Sequence, residues 1–197
     1  MLVGLNILDK LNHMNNPIYF DKICPNLPLI DPASQTIRDE FAKTLKEKWS
    51  NNKPHDIAYD TDDLAAMLAS SPYLQRLALR HSNDVSANLQ SPNFQQIKLA
   101  KVAFIKEMAN ADCDAAAMRA IRIWRERSAL AIALSDITGL RDMPTQMRWL
   151  SGAAQTVLTH TVGYLLRRAS KQGNIRFLTK DFTGCGWTLL ALGKLGA

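Results

Sequence analysis

At 197 residues, with 47% hydrophobic and 21% charged residues, the chain has the profile of a folded globular protein and not of a disordered tract. Its net charge of +6 permits an acidic partner, but the lysines and arginines stand singly, which argues against a nucleic-acid patch. Three distant cysteines, Cys24, Cys113 and Cys185, include no CxxC pair; they exclude a disulfide scaffold or thiolate zinc site and point to a reducing cytoplasm.

The opening MLVGLNILDKLNH has an apolar patch but no basic stretch before it, and it does not read as a signal peptide. Asn15-Asn16-Pro17, Pro25, Pro28 and Asp31-Pro32 then interrupt any periodicity, so residues 1–35 read as a loop-rich leader. A helix is predicted from Asp31 or Ser34, with Ile37, Phe41, Thr44, Leu45 and Trp49 on one face, ending in the Asn51–Pro54 turn. Asp60–Asp63 supplies a cap and early carboxylates for a second helix over Leu64–Ala69.

Ser71-Pro72 has the form of an N-cap followed by proline at the first helical position, with Leu74, Leu77, Ala78 and His81 on one face. A short helix is expected around Val85–Leu89. Ser91-Pro92 opens another, running to about Ala109, with Phe94, Ile97, Lys101, Phe104, Ile105 and Met108 near one face.

The strongest helical signal covers Asp114–Leu134. Its stretch SALAIAL carries no charge, the mark of a helix buried on nearly every side, and Gly139 is placed to cap its end. Pro144 marks the next start, and a helix over Thr145–Ala169 can turn Met147, Leu150, Ala154, Val157, Leu158, Val162 and Leu165 inward. Lys171–Asn174 reads as a loop, and Trp187–Leu192 as one short strand. The predicted fold class is therefore all-α: a multi-helix bundle over residues 36–175, with at most one C-terminal strand in 176–197.

Chemistry is sparse. The four histidines, His13, His55, His81 and His160, show no HxxxH or HExxH spacing, so no metal site is expected. His160 lies among apolar residues and reads as a core histidine. Asp62, Asp63, Asp112 and Asp114 flank helix starts, where capping accounts for them. No residue is nominated as catalytic. Arg119, Arg122 and Arg125 fall on one arc of the long helix, a pattern suited to phosphate or carboxylate recognition or, more blandly, to a solvated face that pairs with Glu126. Gly193-Lys194 follows the predicted strand, where a glycine turn lets backbone N–H groups approach a phosphate; the Walker pattern itself is incomplete, with Thr188 and Leu195 at required positions.

Three stretches carry a resemblance: Ser71-Pro72-Tyr73-Leu74 with Leu77 and Arg80, Ala117–Arg127 continuing through Ile132–Leu140, and Leu189–Gly196. In this order they resemble the amino-terminal part of bacterial glutamine synthetase adenylyltransferase, also called the adenylyl-removing enzyme, over about residues 70–197. The resemblance implies a large cytoplasmic enzyme with two nucleotidyltransferase domains that use ATP or ADP and Mg²⁺. It moves AMP to and from a tyrosine of glutamine synthetase under a nitrogen signal protein. It implies that Gly193 and Lys194 form an incomplete phosphate-contact turn, and that 176–197 begins a nucleotidyltransferase domain whose Asp-x-Asp metal pair is not in the sequence. The expectation is a chain inactive alone, needing no cofactor itself and having no membrane or nucleic-acid partner. The alternative is a helical interaction module that binds glutamine synthetase or a nitrogen regulator, with Arg119, Arg122 and Arg125 as its contact residues.

Overall fold

The computed structural model describes residues 32–50, 61–90, 95–139 and 141–176. Every regular element among them is an α-helix, as the composition and periodicity predict, and there is no strand among the described residues. The expected leader over 1–35 lies almost wholly outside the described residues, and the expected strand over 187–192 lies outside them entirely.

Two compact units divide the chain. The first groups residues up to Gln90 with Ile137–Leu140; the second groups Ser91–Asp136 with Arg141–Ala197. In the first unit, α1 (Pro32–Ser50) packs on α2 (Thr61–Ala69), α3 (Pro72–Arg80) and α4 (Ser82–Gln90). Phe41 and Leu45 of α1, Leu64 and Leu68 of α2, Leu77 of α3 and Val85 of α4 are all buried. Ile37, expected on the same face as Phe41, is 57% exposed. It lies one turn before Phe41, towards the start of the helix.

Local chemistry sets the boundaries of α3. The Ser71 hydroxyl accepts from the Leu74 N–H at 3.4 Å, and Pro72 occupies the first turn, where a missing N–H is harmless. The His81 N–H closes the other end on the Leu77 carbonyl.

The second unit holds α5 (Gln95–Asn110), α6 (Asp114–Ile137) as far as Asp136, and α7 (Met143–Lys171). Its core joins Ile97, Ala100, Phe104 and Met108 of α5, Ala117, Ala120, Trp124, Ala131 and Ile132 of α6, and Tyr164 of α7. The uncharged stretch of α6 is buried as expected: Ser128, Leu130, Ala131, Ile132, Leu134 and Ser135 all lie inside. Gly139 adopts φ 62°, the left-handed conformation that ends a helix without a Cβ penalty. Asp142 caps α7 by accepting from the Thr145 N–H at 3.1 Å, with Pro144 in the first turn.

The inward face of α7 matches the expected one at Val157 but not at Met147, Leu150, Leu158 or Leu165. Met147, Leu150, Leu158 and Leu165 are exposed, whereas Gln146, Thr156, Tyr164 and Leu166 are buried and Trp149, Ala153 and Val157 pack on the core. Most polar tips of these buried residues find partners. Gln146 Nε2 donates to Asp136 Oδ1 at 3.1 Å, Thr156 Oγ1 to the Gly152 carbonyl at 2.7 Å, and Tyr164 Oη to Asp114 Oδ1 at 2.8 Å. Gln146 Oε1 is buried without a partner, so the stripe still carries the cost of one unpaired acceptor.

Candidate functional site

Within the second unit, Phe104 stacks on Trp124 with ring centroids 5.7 Å apart, and meets His160 edge-on at 5.8 Å. Such offset and edge contacts suit the quadrupoles of aromatic rings. The Trp124 indole N–H donates to the Ala153 carbonyl at 3.2 Å. His160 is half-buried, so it lies at the margin of the core rather than inside it. Loss of hydration holds its pKa below the ordinary histidine value, and the charges of Lys101 and Arg167 push the same way.

Beside this cluster lies a cleft of about 160 Å³ between α5, α6 and α7, lined by Ile97, Lys101, Trp124, Arg148, Trp149, Gly152, Ala153 and Thr156. Ile97 and Trp124 are buried, while Lys101 and Arg148 are exposed. The Arg148 guanidinium donates to Thr145 Oγ1 at 2.9 Å. It also contributes to holding the Asp142 carboxyl below its usual range, after hydrogen bonds from the Thr145 side chain and backbone. Helical spacing puts Lys101 near a core face and gives no signal for Arg148. The signal that could have found the cleft is Gly152, a glycine in the middle of a 29-residue helix.

The first unit has a shallower, basic cleft of about 510 Å³ lined by Lys48, Pro72, Gln75, Arg76, Leu79 and Arg80. Lys48 Nζ donates to the Leu79 carbonyl at 3.0 Å, and the Arg76 guanidinium stands 5.6 Å from the centre of the Tyr73 ring. Two of its cations are thereby engaged by their own unit.

Arg119, Arg122 and Arg125 all lie on α6 and all are exposed. Among the described residues none of the three enters an ion pair or side-chain hydrogen bond. Glu126, the expected intrahelical partner, is buried at 6% exposure. Gly193 and Lys194 lie outside the described residues. Among the described residues no group of three or more His, Cys, Asp or Glu could hold a metal ion. No described helix is long and apolar enough to cross a membrane.

The model of one family, glutamate-ammonia ligase adenylyltransferase, matches residues 61–197, which take in α2 through α7. The chain belongs to this family. A bifunctional glutamine synthetase adenylyltransferase/adenylyl-removing enzyme of Rhizobium meliloti is 33% identical over 182 residues, covering 85% of this chain and 18% of the relative. A Bradyrhizobium enzyme of the same name is 33% identical over 82% of this chain and 16% of its own length. A third, from Bartonella quintana, is 25% identical over 93% and 19% respectively. The chain thus spans less than a fifth of these adenylyltransferases. No solved structure matches it.

Proposed function

We propose that this chain is the amino-terminal helical part of a glutamine synthetase adenylyltransferase/adenylyl-removing enzyme, a partner-holding part that is catalytically silent alone. The family match across residues 61–197 carries the reading. In the intact enzyme AMP is moved to and from glutamine synthetase, with ATP or ADP and Mg²⁺ as the nucleotide and metal. Here Arg119, Arg122 and Arg125 contact carboxylates on glutamine synthetase or on the nitrogen signal protein. Their exposure and freedom from internal ion pairs support this, since a guanidinium forks onto a carboxylate more readily when no internal acid competes. Gly193 and Lys194 serve as the approach to a phosphate site completed by residues of the intact enzyme.

The test is retention of the purified chain on immobilised glutamine synthetase at two salt concentrations, alongside assay of ADP formation from the adenylylated enzyme and phosphate with Mg²⁺. We expect salt-sensitive retention and no ADP formation. Replacing all three arginines by glutamine should weaken retention by tenfold or more, at about 1.4 kcal/mol per decade. ADP formation would overturn the silent role. Salt-independent or absent retention would overturn the partner role.

A second reading, favoured by the same exposed arginines, is a free-standing interaction module. It predicts that the chain inhibits the intact enzyme by competing for glutamine synthetase, whereas a part that works only when joined to the rest leaves it unaffected.

A further inference from the structure

The geometry points to the cleft between α5, α6 and α7 as a binding site for a small aromatic carboxylate. Its ring would lie against Trp124 and Trp149, with its carboxylate at Lys101 and Arg148. This site is separate from the arginine arc of α6 and does not depend on the family reading.

The argument begins at Gly152. A glycine inside a long helix is destabilising relative to alanine, because it retains more backbone freedom in the unfolded chain. Such a glycine is ordinarily explained by close packing, yet a Cβ built at Gly152 meets nothing within 4 Å. Gly152 lines the cleft, and a Cβ there would meet open space. Glycine here serves the opening and not the packing of the helices.

The lining then selects the ligand. The cleft volume of about 160 Å³ is close to the roughly 150 Å³ at which an apolar cavity accepts benzene, so there is room for one six-membered ring. Two indoles and Ile97 supply apolar surface, and tryptophan faces favour planar partners. The polar groups inside have their own bonds: the Trp124 N–H is given to Ala153 and the Thr156 hydroxyl to Gly152. Little in the interior is left to recognise a polar ligand. Charge is supplied at the exposed residues, where Lys101 makes no ion pair among the described residues and Arg148 reaches only a hydroxyl and the neighbourhood of Asp142. Two cations beside an apolar slot attract an anion whose body is apolar. The depressed pKa of His160 comes first from loss of hydration, and the Lys101 charge adds to it.

Benzoate is the probe, titrated calorimetrically into the full 197-residue chain. Benzyl alcohol serves as a ring without charge, and acetate as a charge without a ring. We expect benzoate to bind at about 1 mM or tighter, near what good small-ligand efficiency allows. Benzyl alcohol and acetate should each bind about tenfold or more weakly, the ratio given by losing a charge-assisted contact or a buried ring. Lys101→Gln and Arg148→Gln should each weaken benzoate to a similar degree. Gly152→Leu, which fills the slot, should abolish binding while circular dichroism reports an intact helical fold. If that variant unfolds, Gly152→Ala decides the matter, because its single methyl has room and should still weaken benzoate measurably. No benzoate binding at 20-fold the expected concentration would overturn the site. So would acetate matching benzoate, or a folded Gly152 variant binding as well as the parent. Benzyl alcohol matching benzoate would overturn the assignment of the ligand as an anion.

Discussion

The indole nitrogen of Trp124 lies 3.2 Å from the carbonyl oxygen of Ala153, tying the middle of α6 to the middle of α7. The same ring stacks on Phe104 of α5, so one side chain links all three helices of the second unit. Trp124→Phe keeps an aromatic ring but removes the donor. It should cost about 1–2 kcal/mol, the net value of a hydrogen bond plus some lost contact. Trp124→Ala also opens a cavity and should cost about 3–5 kcal/mol. Urea denaturation of both variants checks the pair, and a Trp124→Phe loss near zero would mean that the bond contributes nothing beyond packing.

Asp114, the first residue of α6, accepts from Tyr164 Oη at 2.8 Å and forms an ion pair with Arg168. The sequence accounts for this carboxylate as a helix-start residue, yet in the fold it also anchors α7. Tyr164 is buried, whereas the Arg168 and Asp114 side chains are 43% and 54% exposed. Water screens the ion pair far more than it competes for the phenol. Tyr164→Phe should therefore destabilise by about 0.5–1.5 kcal/mol and Arg168→Met by under about 0.5 kcal/mol. Thermal melts at low and high salt distinguish them, because only the Arg168 contribution should shrink with salt.

The elements were legible because their signals are local. Ser71-Pro72 and Pro144 mark helix starts through backbone chemistry, and both helices begin there. SALAIAL is apolar all round and is buried. The face of α7 was not legible, because two stripes compete along it. Leucine and methionine at 147, 150, 158 and 165 make the more hydrophobic stripe, but Tyr164 and Arg167 on the other stripe have polar tips whose partners lie far along the chain. Arg167, for example, donates to the Met108 carbonyl at 2.8 Å, 59 residues away. Apolar residues are often exposed, and polar residues bury readily once bonded, so hydropathy alone selects the wrong stripe. The cleft was missed for a related reason: its walls come from three helices, and its opening from a side chain that glycine does not have.

The exposed stripe of α7 gives a stability test of that face assignment. Leu158 is 42% exposed and Phe104 is 2% exposed. Leu158→Gln should change the unfolding free energy by no more than about 0.5 kcal/mol, as a surface substitution does. Phe104→Ala, which removes a ring from the core, should cost about 3–5 kcal/mol. A large loss at Leu158 would mean that another part of the chain covers the stripe.

His160 should make stability depend on pH in a defined window. Its folded-state pKa lies below the ordinary 6.5, since partial burial and the charges of Lys101 and Arg167 disfavour the imidazolium. Below pH 6.5 the unfolded chain takes up the proton before the folded one does, so acid favours unfolding. The stability present above pH 6.5 therefore declines as pH falls towards the folded-state value. Comparing urea midpoints at pH 7.5 and 5.5, His160→Gln should show a smaller decline than the parent chain. Lys101→Gln should also reduce it, because one cause of the shift is gone; an unchanged decline in both variants would place the titrating group elsewhere.

Gly152 offers the reverse case, a substitution that should strengthen the fold. It sits within α7, and a Cβ there has no atom within 4 Å, so alanine introduces no clash. Alanine restricts the unfolded backbone and favours the helix by about 0.5–1 kcal/mol relative to glycine. The Thr156 hydroxyl bonds the carbonyl of residue 152, not its side chain, so that contact survives the change. Gly152→Ala should raise the melting temperature of the chain by a few degrees, on the order of 2–4 °C for a protein of this size. Gly173→Ala makes the control. Open space surrounds that glycine too, but its φ of +76° strains any Cβ, so the same substitution there should lower the melting temperature. A gain at both positions would mean that alanine acts only through the unfolded chain, and a loss at both would mean that position 152 needs its glycine for a contact the helix itself does not make.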